Sequence, residues 1–75
     1  MVAENKIVEI FKTNVQETGQ AEKLVPVLLE HFPSSKVSFD LDDCDRVLRI
    51  EGMEIDVQKV IGSLKLAGYS CEVME

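Results

Sequence analysis

Residues 36–51 read Lys36-Val37-Ser38-Phe39-Asp40-Leu41-Asp42-Asp43-Cys44-Asp45-Arg46-Val47-Leu48-Arg49-Ile50-Glu51. Val37, Phe39 and Leu41 alternate with Ser38 and Asp40, the period-2 pattern of a strand with one buried face. Asp42 to Asp45 is a polar turn. Arg46 to Glu51 gives a second strand with Leu48 and Ile50 on one face, so the stretch predicts a β-hairpin.

Outward from the hairpin, each flank carries a helical stripe. On the N-terminal side, Ala21, Leu24, Val25, Leu28, Leu29 and Phe32 recur at helical spacing. Glu17-Thr18-Gly19-Gln20 forms the turn and helix start, with Thr18 as the expected N-cap. Pro26 removes a helical hydrogen bond and crowds the preceding turn. Either the helix kinks there or its regular part begins later than Thr18. Pro33-Ser34-Ser35 ends it. On the C-terminal side, Gly52 to Glu54 connect to a second helix capped by Asp56, with Val57, Val60, Ile61 and Leu64 as its inner stripe. Gly68 suits the left-handed position after its last turn.

At the two ends of the chain lie two more strands. Lys6 to Val15 holds Ile7, Val8, Ile10 and Phe11. Phe11, Thr13 and Val15 share one face, Val8 and Ile10 the other. Tyr69, Cys71 and Val73 alternate with Ser70, Glu72 and Met74. The order β-α-β-β-α-β predicts an α+β, ferredoxin-like domain: an antiparallel four-stranded sheet of order 4-1-3-2 with both helices on one face. No linker or repeat interrupts the 75 residues, which form one domain over 1–75 with its core in 6–74.

Composition narrows the partners. Hydrophobic residues make up 45% and charged residues 29%, enough apolar content for a folded core. Fourteen acidic against eight basic residues give a net charge of −6, which argues against nucleic acid and anionic membranes, both of which need clustered Lys and Arg. The acidity suits solubility, or a basic protein partner. No stretch reads as a signal peptide or a membrane span. Two cysteines, Cys44 and Cys71, fit reduced thiols better than a disulfide framework, so the expected location is the cytoplasm.

Ala67-Gly68-Tyr69 leads into the last strand, Lys36 to Leu41 forms the second, and Val60-Ile61-Gly62-Ser63-Leu64 lies in the second helix. In these segments, across roughly Lys6 to Val73, the chain resembles the heavy-metal-associated, copper-chaperone-like domains. The resemblance implies the same fold. It also implies a Met-x-Cys-x-x-Cys loop after the first strand, whose thiolates hold a soft ion such as Cu(I). That motif falls on Gln16-Glu17-Thr18-Gly19-Gln20-Ala21, with Thr18 and Ala21 at the cysteine positions. No Cys, His or Met occurs from Thr13 to Lys23, so the chain reads as a degenerate member with no metal ligands and no cofactor. The residual binding surface expected at that end is Thr13, Asn14, Gln16, Thr18 and Tyr69, the tyrosine being the aromatic that in the family shields the metal loop. Turn and cap roles would equally explain these residues.

Other chemistry has little to stand on. Cys44 in the hairpin turn and Cys71 in the opposite edge strand are too far apart to share a disulfide or a metal. Asp40, Asp42, Asp43 and Asp45 lack the glycine and flanking helices of a Ca²⁺ loop and read as a solvated turn. His31 stands alone near the end of the first helix, where a positive charge suits the helix dipole. Enzymes of this fold such as acylphosphatases need a Gly-rich loop after the first strand and a positioned arginine. Here the loop has only Gly19, and Arg46 and Arg49 both fall in the third strand. The expectation is a non-enzymatic module, with no catalytic residue, that recognises an unidentified protein partner as a monomer or weak homodimer. The alternatives are a metal carrier with an altered or intermolecular site, for example Cys44 from two chains, and a small-molecule-sensing regulatory module.

Overall fold

The structure is a computed structural model that describes residues 6–42 and 44–74. Six elements follow the expected order: β1 (Ile7–Thr13), α1 (Thr18–His31), β2 (Lys36–Asp40), β3 (Val47–Gly52), α2 (Val57–Leu66) and β4 (Cys71–Val73). The sheet order is β2-β3-β1-β4 and every pairing is antiparallel. This is the ferredoxin-like α+β arrangement.

Burial settles the faces of β1. Phe11 and Thr13, with Val15 just beyond the strand, point inward, whereas Val8 and Ile10 are exposed. Phe11, Leu48 and Ile50 of the sheet meet Leu28 and Phe32 from α1 and its cap, and Val60 and Leu64 from α2. All but Phe32 are fully shielded from solvent. A second apolar cluster, Val15, Ala21 and Leu24, extends the core towards the loop between β1 and α1 and is flanked by Phe39, Leu41 and Tyr69. Burying each such side chain is worth about 1.5–3 kcal/mol. The packing of both helices against one face is therefore what holds so short a chain folded.

Two local readings need correction. β3 starts at Val47, one residue later than expected. Arg46 belongs to the turn, with φ at 50°. The N-cap of α1 is Glu17 rather than Thr18. Gln20 selects it, because its Oε1 accepts from the Gln16 and Glu17 amides at 3.1 and 3.2 Å and so satisfies donors at the helix start. Pro26 lies inside α1, which runs through it from Thr18 to His31. Both Pro26 and Glu22, whose carbonyl loses its amide partner there, are exposed, so water can serve that carbonyl. Asp43, read as part of the hairpin turn, lies outside the described residues.

The ends of α2 follow the sequence signals. Asp56 accepts from the Lys59 amide at 3.2 Å. At the other end Gly68 has φ of 96°. Its amide donates to Lys65 O (3.0 Å) and the Tyr69 amide to Leu64 O (2.9 Å), the paired bonds of a Schellman motif. Gly52 sits in a tight place: a Cβ there would come within 3.1 Å of Ser35 Cβ and 3.2 Å of Ile55 Cδ1, so these side chains would have to give by a few tenths of an ångström. No helix among the described residues is long and apolar enough to cross a membrane.

Candidate functional site

The fold brings three segments to one end of the sheet: the loop from β1 into α1, the β2–β3 turn, and the residues between α2 and β4. Thr13 ends β1 and is 7% exposed. Its Oγ1 donates to Arg46 O at 2.6 Å and accepts from the Val15 amide at 3.2 Å. Its own amide is shared between Asp45 O and Arg46 O, at 3.2 Å each. Asn14 Oδ1 accepts from the Ser70 amide at 2.8 Å and so fastens the loop to the start of β4. Gln16 Nε2 lies 3.5 Å from Asn14 O, a long bond. Tyr69 is half-buried and packs on both apolar clusters. Thr18, first residue of α1, is exposed.

All five residues expected to form a residual binding surface therefore sit at one end, and three of them are engaged there. Thr13 and Asn14 accept or donate within the end itself, and Tyr69 is packing. Gln16 and Thr18 are exposed, as Asn14 is. Of the two positions aligned with the family's cysteines, Thr18 faces solvent, whereas Ala21 is buried beside Val15 and Leu24.

The alternation predicts Arg46 in the third strand, away from the loop after β1. The structure overturns this. Because Arg46 adopts a left-handed conformation in the turn, its guanidinium turns back over the end of the sheet. Nη1 donates to Leu41 O at 2.9 Å and to Gln16 O at 3.3 Å. One side chain thus ties the hairpin turn to the β1–α1 loop, while its carbonyl anchors Thr13. The signal in the sequence was a single basic residue closing an otherwise acidic turn, Asp42 to Arg46. Alternation with Leu48 and Ile50 hid it by extending the strand one residue too far.

The remaining reactive groups do not converge. Both cysteines are free thiols, Cys44 exposed and Cys71 half-buried in an edge strand. Burial, reinforced by the charge of neighbouring Glu72, pushes the Cys71 thiol up to about 12, which disfavours the thiolate that a soft metal needs. The hairpin turn is bonded to β1 through Asp45 O and Arg46 O. Asp40 and Asp42 are exposed, and Asp45 lies 3.9 Å from Lys12 Nζ. No group of three or more His, Cys, Asp or Glu among the described residues is arranged to hold a metal.

His31 lies at the opposite end, its ring edge-on to Phe32 with centroids 6.4 Å apart. It borders an open cleft of about 730 Å³ with Ile7, Met53, Glu54 and Lys59. Among the described residues no buried side-chain polar atom lacks a hydrogen-bond partner, and Ser35, which lines the cleft, donates its hydroxyl to Phe32 O at 2.6 Å. In comparison with known proteins, the chain matches no family model, no curated protein and no solved structure.

Proposed function

We propose that this chain is a small non-enzymatic interaction module, built like a heavy-metal-associated domain but lacking its soft-metal site. One observation carries the reading. At the loop end, where the family's thiolates would stand, the chain has an exposed Thr18 and a buried Ala21, and Arg46 closes the loop with bonds to main-chain oxygens. Bonds of that kind stabilise a fixed shape, and from Thr13 to Lys23 the chain offers no Cys, His or Met as a soft donor. The work of the module is then recognition of a protein through its surface. The two free cysteines support a reducing compartment, the cytoplasm. The excess of carboxylates supports a partner other than nucleic acid or membrane.

Thermal unfolding of the reduced chain with added Cu(I) or Zn²⁺ tests this. A ligand that binds only the native state raises stability by about 2.7 kcal/mol at one hundred times its Kd. The expected result is an unchanged melting temperature at metal concentrations well above micromolar. A rise that saturates at one metal per chain, or at one metal per two chains through Cys44, would overturn the reading in favour of a carrier. A rise with amino acids or other small molecules would favour a sensor.

A further inference from the structure

The helices cover one face of the sheet and leave the other open. We infer that this open face is a self-association surface whose partner is a second copy of the chain. The inference rests on the reading of the chain as an interaction module.

The register of the strands fixes what the face presents. Ile10 lies at its centre, beside Arg49 on β3 and Met74, whose amide donates to Ile10 O at 2.8 Å. Val8 lies two residues along the same strand. Val8, Ile10 and Met74 are 40%, 39% and 37% exposed, an apolar strip where an isolated sheet facing water would carry polar residues. On either side of it the face has three cations, Lys12, Lys36 and Arg49, and three anions, Asp40, Glu51 and Glu72. The strand residues of this face are therefore neutral in a chain of net charge −6, with Asp45 at the rim next to Lys12. Elsewhere the chain carries the whole excess of negative charge, which repels a second copy.

The arrangement is also self-complementary. Lys36 and Asp40 lie at opposite ends of the same edge strand, four residues apart, with Ile10 in the row between them. A twofold axis running across the strands through that row sets Asp40 over Lys36 of the second copy, and Lys36 over its Asp40. Ile10 and Met74 then meet their own counterparts, as an isologous interface requires. Arg49 also meets its counterpart, with Glu51 of both copies one row away to take up the charge. The face measures roughly 19 by 17 Å from strand spacing and rise. That is small beside the ~800 Å² per partner of a stable complex, so the dimer is weak and exchanges quickly.

Sedimentation equilibrium of the full chain from about 10 µM to about 1 mM tests the surface. The expected result is an average mass that climbs from monomer towards dimer. Ile10→Glu should stay monomeric throughout while staying folded, since Ile10 lies on the exposed side of β1, opposite the buried Phe11 and Thr13. Lys36→Glu and Asp40→Lys should each weaken association about tenfold, a shift of about 1.4 kcal/mol, and the double swap should restore it. A native chain that stays monomeric at the highest concentration would overturn the inference. So would Ile10→Glu associating like the native chain, or a double swap no better than either single variant. None of these outcomes bears on metal binding, which the thermal shift with Cu(I) and Zn²⁺ reads separately.

Discussion

Arg46 shows how one side chain can close a loop. Its left-handed backbone costs roughly 1–2 kcal/mol, offset by two guanidinium bonds and by the Thr13 bonds to its carbonyl. Two substitutions separate these contributions. Arg46→Ala and Arg46→Gly lose the same guanidinium bonds, but only glycine relieves the backbone. Chemical denaturation should find Arg46→Gly the more stable of the two by about 1 kcal/mol; equal stabilities would mean that the turn relaxes when the guanidinium is lost. Cys71 gives a second test at this scale. Its thiol is raised from 9.0 to about 12 by burial and then by Glu72, so the folded state holds its proton more tightly than the unfolded one. The stability this contributes is complete below pH about 9 and is lost as pH climbs towards about 12. Comparison of melting temperatures with Cys71→Ser should show a steeper alkaline decline in the native chain, and a thiol reagent should label Cys44 well before Cys71. Neither feature was legible in the sequence: spacing says nothing of a guanidinium that turns back over a sheet end, nor of how far an edge strand is covered.

Among the elements, α2 is the one whose ends follow from sequence alone. Asp56 and Gly68 act through short-range chemistry, a carboxylate on the first turn and a backbone free to take positive φ, so neighbouring residues suffice to read them. Gly68→Ala should therefore cost about 1 kcal/mol, measured by urea unfolding with an unchanged m value. A cost near zero would mean that the Schellman turn tolerates a side chain. The start of α1 was less legible because two polar residues competed for the cap. Thr18 had the better intrinsic preference, but Gln20 was the residue whose side chain reached the free amides. Pro26 left two readings open. The helix runs through it because its missing bond falls on the exposed side, while Ala21, Leu24 and Leu28 on the other side stay packed. Tertiary burial outweighed a local penalty of about 3 kcal/mol.

At the scale of the whole molecule, the element order β-α-β-β-α-β was enough to predict the sheet order and the helix layer. What the open sheet face carries was not foreseen. Val8 and Ile10 were apolar on either reading of β1, and only the register with β3 and β4 shows them amid balanced charges. The loop end was half legible: the sequence picked its residues, and the structure showed that Thr13 and Asn14 are occupied in holding it together. The proposed reading is a module built like a soft-metal carrier but without thiolates at the β1–α1 loop. Its most direct test is a Cu(I) competition titration of the reduced native chain beside the double variant Thr18→Cys/Ala21→Cys, with folding of both checked by circular dichroism. The account predicts no binding by the native chain against a micromolar chelator and one tightly held Cu(I) per chain in the folded double variant. Stoichiometric binding by the native chain, or none by the folded double variant, would contradict it.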